Sequence, residues 1–323
     1  MVRLILPTAF LFLLPFLMLG QNTQQYSLYS LNPAAFNPAA TGLDEHVILS
    51  GGIRNQWSGL AGSPVSQHVN VQMGAEPLSG GLGLFFEQEQ LGSTRGNRVG
   101  LSYAYNYFLN RNSSIRMGFT AYWQDFSIDG NLLRTPGGVY EGSVPNHQDA
   151  LFSSGNMQGS NYNTDFGLMY VNNDFTAGLS ILNISEGAKV LDGLNVVSGR
   201  AYYLFLSNSF EMGRRMELTP SILLKSVLSQ SQLDAGVKVS FDDNIVFGAS
   251  FRGYNSLSID SVVPFIGYYF GERVSLYYAY DIGVSALKTV HGGSHELFIR
   301  YDLGKAVWKG KLPPIIYNQR YKS

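Results

Sequence analysis

The chain has 323 residues, 45% hydrophobic and only 14% charged, with a formal net charge of −1 and no cysteine. Near-neutrality argues against nucleic acid as a partner, because a phosphate-binding surface needs a clear Lys/Arg excess. The missing cysteine excludes disulfides, thiolate metal sites, a cysteine nucleophile and a lipoprotein anchor.

The first twenty residues, MVRLILPTAFLFLLPFLMLG, hold one Arg, then an apolar run, then a small residue before Gln21. This pattern reads as a cleaved export signal, with Gly20 expected as its last residue. Pro7 and Pro15 disfavour a retained spanning helix, and no later stretch holds the ~18 apolar residues such a helix needs. Residues 21–45 follow as an expected periplasmic N-terminal segment. Its pairs Asn32-Pro33 and Asn37-Pro38 forbid a continuous helix or strand. It is too apolar for a plain solvated tail, so it is expected to pack on the barrel mouth or on a partner.

From His46 onward the pattern changes to strands. In the stretch 232–253, Leu233, Ala235, Val237, Val239 and Phe241 alternate with Asp234, Gly236, Lys238 and Ser240. After Asp242-Asp243-Asn244 the alternation resumes with Ile245, Phe247, Ala249 and Phe251. Period two gives a hairpin with one apolar and one polar wall. Such a hairpin either buries its apolar wall against a second sheet or turns it to lipid. Candidate strands are 46–56, 65–74, 80–89, 97–109, 113–125, 163–172, 175–183, 200–210, 215–226, 232–241, 244–253, 257–270, 273–284 and 294–303. Connections leaving even-numbered strands are all short, whereas those leaving odd-numbered strands reach the long run 126–162. Outer-membrane barrels have short periplasmic turns and longer external loops. Export signal, even strand count and loop parity together favour the barrel over a soluble sandwich.

The expected fold is therefore all-β: a transmembrane, antiparallel, up-and-down outer-membrane β-barrel of about fourteen strands over 46–303, both termini periplasmic. Pro220 and Pro264 fall inside candidate strands, so each is expected to need a local bulge or different strand bounds. Arg54, Arg116, Asp165, Glu217, Lys225, Asp234, Lys238, Arg252, Asp281, Glu296 and Arg300 face inward as a mixed-sign wall around water or a plug. Residues 304–323 form a basic periplasmic tail with five Lys/Arg and no acid, carrying Trp308 and Pro313-Pro314.

Enzyme chemistry finds little support. His295 and Glu296 are adjacent, so on a strand they face opposite ways. His147 and Asp149 alone supply too few ligands for a metal. No spacing singles out a nucleophile beside a base. No cofactor, metal or catalytic residue is expected.

Several blocks resemble one family. Gln25-Tyr26, the run Asn37-Pro38-Ala39-Ala40-Thr41-Gly42 and the block Arg54-Asn55-Gln56-Trp57-Ser58-Gly59-Leu60-Ala61-Gly62-Ser63-Pro64 are similar to the PorP/SprF family of type IX secretion membrane proteins. So are Gly81-Leu82-Gly83-Leu84, Tyr103-Ala104-Tyr105, Tyr278-Ala279-Tyr280-Asp281 and Gly293-Ser294-His295-Glu296-Leu297. The resemblance implies a fourteen-stranded Bacteroidota outer-membrane barrel for protein secretion and, in gliding species, export of surface adhesins. Its implied partners are secreted cargo proteins or their C-terminal sorting domains, periplasmic and outer-membrane lipoproteins of the machinery, and outer-membrane lipid. Candidate partner-binding residues are Arg54, Gln56, Trp57, Pro64, Asn37, Pro38, His295, Glu296 and Trp308. External loops 57–64, 89–96, 126–162, 184–199 and 285–293 are expected to meet cargo, with Trp57 as first hot spot or as a membrane-interface anchor. The competing reading is a porin-like solute channel.

Overall fold

The computed structural model describes residues 24–308, except 136, 142–145, 150–154, 186–187, 192–193, 198, 228–229, 243 and 255–257. The predicted export signal and the tail beyond Trp308 lie outside the described residues.

Alternating side chains along fourteen strands produce a single antiparallel sheet: β1 (Ile48–Asn55), β2 (Val65–Ala75), β3 (Gly80–Leu91), β4 (Thr94–Phe108), β5 (Ser113–Asp129), β6 (Asn156–Asn172), β7 (Phe175–Leu182), β8 (Ala201–Asn208, resumed at Phe210–Glu211), β9 (Met216–Ser226), β10 (Ser231–Phe241), β11 (Ile245–Tyr254), β12 (Ser258–Phe270), β13 (Val274–Gly283) and β14 (Ser294–Asp302). Each strand pairs with its neighbours in sequence, and β14 pairs with β1 through Arg54↔Glu296 and Ile48↔Asp302. The cylinder is closed, so no edge is left open.

The faces separate cleanly. On β5, Ile115, Met117, Phe119 and Trp123 are exposed, while Arg116, Thr120, Tyr122 and Gln124 are buried. The same holds for outward Leu49, Val69, Phe86, Leu101, Leu168, Leu179, Phe247, Ile266 and Ile299. An apolar exterior and a polar interior are the inverse of a water-soluble barrel, and they fit a cylinder set in lipid. Among the described residues no helix is long and apolar enough to cross a membrane.

Turns at one end are short: Asn173–Asp174, residues 242–244 and 271–273. Loops at the other end include 56–64, 130–155, 183–200 and 284–293. The parity read from sequence holds, with two changes of length. β3 and β4 continue to Leu91 and from Thr94, so the expected loop 89–96 is only Gly92–Ser93. β5 and β6 extend to Asp129 and from Asn156, so the expected loop 126–162 shortens to 130–155. The loop 183–200 carries a two-stranded ribbon, Ala188–Leu191 with Leu194–Val197.

Neither in-strand proline needs a bulge of its own. Pro264 interrupts the β12–β13 ladder, which pairs Val262↔Ile282 and resumes at Phe265↔Ala279 in the same register. Pro220 pairs with Val237 of β10, and on its other side the β8–β9 ladder stops at Ser207↔Ser221 and resumes at Phe210↔Leu218. A missing N–H removes a hydrogen bond on one side of a strand and leaves the other side paired. The register shift that does occur lies at Arg252/Gly253.

The N-terminal segment departs from expectation. Residues 24–43 pack on the barrel as expected, but inside it rather than at its mouth. They run through the lumen as three 3-10 turns, Tyr29–Leu31, Pro33–Ala35 and Pro38–Ala40. Gln25, Ser27, Leu28, Tyr29, Phe36, Asn37 and Ala39 are all buried. The segment begins near the long-loop mouth, descends, and joins β1 at the short-turn mouth. There Val47 donates to the Lys305 carbonyl at 3.3 Å and accepts from Leu303 at 3.0 Å. The two mouths are thus bridged by one strand of chain inside the wall.

Candidate functional site

The candidate site is the lumen and the plug within it. Its floor near the long-loop mouth is a row of charges of alternating sign. Arg252 Nε contacts Asp234 at 2.8 Å and its Nη1 contacts Asp281 at 2.8 Å; Arg54 Nη2 contacts Asp281 at 2.6 Å and its Nη1 contacts Glu296 at 3.3 Å. Strand alternation puts these five side chains inward on β10, β11, β13, β1 and β14, and register sets them side by side. Each is at most 4% exposed. An ion so enclosed costs several kcal/mol to desolvate unless paired, which is why each Arg here has two carboxylates.

The plug is latched to this row. Ser27 donates its backbone N–H to Glu296 at 2.6 Å and its hydroxyl to Asp281 at 2.6 Å, and accepts from Arg54 at 2.7 Å. Leu28 N–H also reaches Glu296, at 3.3 Å. Below the latch, two aromatic side chains enter one shared socket in the wall, with Phe205 touching both. Tyr29 packs edge-on to Phe205, and Phe36 stacks on Tyr203. Leu28 joins Val246, Val263, Phe265, Tyr277 and Phe298 on the opposite wall.

Lower still, the wall is cut away to admit backbone. A Cβ on Gly118 would stand 2.1 Å from the Ala39 nitrogen, and one on Gly167 2.0 Å from the Asn37 side-chain oxygen. Arg116 closes over this stretch, donating to the carbonyls of Ala39 at 2.8 Å and Thr41 at 2.6 Å. Asn37 caps its own turn and donates to the carbonyls of Leu168 and Leu179 at 3.1 and 3.3 Å. At the short-turn mouth, Arg300 pairs with Asp44 at 2.9 Å, and His46 meets Asp302 at 3.1 Å.

The plug does not fill the lumen. A cleft separates Asn32–Ala35 from the β2–β6 wall, lined by His68, Asn70, Glu87, Arg98 and Asp165. Glu87 pairs there with Arg98. A second pocket opens at the long-loop mouth between Trp57, His291, Asp260, Ser261 and the charged row. Among the described residues no group of three His, Asp or Glu could hold a metal.

The nine candidate residues fall into separate places. Arg54 and Glu296 belong to the latch, and Gln56 and Trp57 line the mouth pocket. Trp57 adopts φ +54°, its N–H bonded to the Ser294 hydroxyl at 3.1 Å and its ring 6.4 Å from His291. Pro64 is buried, with its carbonyl accepting from Gln56 N–H at 2.9 Å. Asn37 and Pro38 are in the plug and touch the protein's own wall, not an outside surface. His295 faces outward, bonded to Tyr278 at 2.7 Å and 4.9 Å from the Tyr280 ring. Trp308 is exposed at the opposite end, bridged in parallel to Ala75. The sequence reading missed Ser27, Tyr29 and Phe36 as wall contacts. Their signal was the apolar content of a segment too short and too broken by Pro to form a core element of its own.

Several solved structures are similar in fold. CymD, a monoaromatic hydrocarbon channel, matches at TM-score 0.49 and 13% identity, covering 85% of this chain and 93% of that one. The P. putida toluene transporter TodX matches at TM-score 0.49 and 12% identity, covering 84% and 93%. Omp33 of Acinetobacter baumannii matches at TM-score 0.47 and 7% identity, covering 81% and 100%. No curated protein is significantly similar in sequence. The family described as type IX secretion system membrane protein PorP/SprF matches residues 18–301, nearly all of the barrel and its plug, and the chain belongs to that family.

Proposed function

We propose that this outer-membrane barrel holds secreted cargo, or its C-terminal sorting domain, at the long-loop face and meets periplasmic secretion components at the short-turn face. In gliding species the cargo would include surface adhesins. The long-loop end is then external, and the start of β1 and the end of β14 are periplasmic. The observation that carries this reading is a lumen occupied by the protein's own chain in a member of a secretion family. A solute porin needs a water-filled path, and here Ser27 to Gly42 stands in it. The work of such a barrel falls to its mouths, where Trp57 and His291 frame the external pocket and Trp308 marks the other end. The alternative, a porin-like channel, would require the plug to leave.

The test is Trp57→Ala in cells carrying a surface-displayed cargo. A central aromatic anchor is worth about 2 kcal/mol or more, about thirtyfold in affinity. Display is expected to fall with the barrel still assembled; unchanged display would remove Trp57 from the cargo surface.

A further inference from the structure

The wall grips the plug through its main chain. Glu296 takes the N–H groups of Ser27 and Leu28, Arg252 reaches the Tyr26 carbonyl at 3.4 Å, and the Ser180 hydroxyl reaches the Phe36 carbonyl. Arg116 takes two more carbonyls, and Gln72 accepts from Gly42 N–H at 3.1 Å. Main-chain groups are common to every peptide. Selectivity comes from one aromatic socket around Phe205 that takes both Tyr29 and Phe36, seven residues apart, and from the Gly118–Gly167 notch, where the Pro38–Ala39 backbone and the Asn37 amide come up against the wall. Nor is the plug part of the sheet. Among the described residues, 24–43 add no strand to the cylinder, whose ladders close without them.

We propose that the lumen wall is a peptide-binding groove occupied in cis by residues 24–43, and that an extended segment of a secreted protein with the same pattern takes their place. The identity of that occupant as cargo rests on the secretion reading; the groove itself does not. The latch holds the cis segment from one end and the tether at 43–47 holds it from the other. A short tether gives an effective concentration on the order of millimolar, so a peptide making only the same contacts must approach that level to compete. A natural occupant would gain the difference from further contacts at the loops.

The chain has no cysteine, which makes a single reporter clean. Ala39→Cys in the full-length protein places a thiol at a position with 0% exposure. A synthetic peptide of residues 24–43 is expected to speed its labelling by a water-soluble maleimide at least about tenfold, saturating near millimolar peptide. A scrambled peptide should not. Glu296→Gln weakens the cis segment and the peptide alike, so it should speed exchange without changing the peptide concentration needed. In the unsubstituted protein, the same peptide carrying a photo-crosslinking phenylalanine at the Phe36 position should join the fragment containing Tyr203 and Phe205. No acceleration in either background up to about 10 mM, equal action by the scrambled peptide, or crosslinks only outside the lumen would overturn the groove. Loss of the groove would leave the Trp57→Ala display result standing, and failure of that result would leave peptide exchange intact.

Discussion

Asp281 is the residue on which the plug's attachment turns. It receives both Arg54 and Arg252 and the Ser27 hydroxyl, at 4% exposure. Replacing it with Asn keeps the shape and removes the charge, leaving two buried guanidiniums each short of a partner. Breaking a buried pair in this way costs about 3–5 kcal/mol. Asp281→Asn is therefore expected to lower the denaturant midpoint of the detergent-solubilised barrel clearly; an unchanged midpoint would mean the row is not shared. Gly118 acts by absence. A side chain there meets Ala39 and Pro38 backbone at 2.1 Å, and rigid backbone cannot give way, so Gly118→Val should expel the lower plug. The inward charges were legible, because alternation alone assigns Arg54, Arg252, Asp281 and Glu296 to one face. Their pairing was not, since it depends on the register between strands β1, β11, β13 and β14, which are far apart in sequence. Gly118, Gly167 and Gly178 carried a signal of close backbone approach within strands. What approaches them could be found only once the chain was closed.

At the scale of elements, the strands were readable almost to the residue wherever apolar and polar positions alternate, as along β10 and β11. The errors lie where outward side chains turn polar beyond the membrane. Above outward Phe86, Val99 and Trp123, the outer face of β3–β5 carries Gln88, Asn97 and Asp125, joined at 2.7 and 2.9 Å. Alternation in hydrophobicity vanishes there although the ladder continues, so β5 was ended four residues early. This step marks the lipid boundary. Asn97 and Leu101 are separated by about 13 Å of strand at ~3.3 Å per residue. Asn97→Cys should react in whole cells with a membrane-impermeant thiol reagent and Leu101→Cys should not; equal reaction would misplace the boundary. The prolines were read in the right places with the wrong remedy. Pro264 leaves a gap in one ladder, so Pro264→Val should restore a donor and raise stability by about 1 kcal/mol, read as a higher unfolding midpoint. A fall would mean that the fixed φ of proline matters more than its missing N–H.

For the whole molecule, composition and loop parity pointed to a membrane cylinder, and the closed sheet bears this out. The use of residues 24–43 was not legible. Two Asn-Pro pairs announce turns, and turns are ordinarily found at surfaces; only a lumen too wide for its own side chains turns that surface inward. A cylinder of this width without a plug would pass ions freely. Single-channel recording in planar bilayers therefore tests the account most directly. The full-length protein should show no steady open level, while Gly118→Val, with the plug expelled, should show large discrete openings. Steady conductance of the same size from both proteins would contradict a lumen closed by residues 24–43.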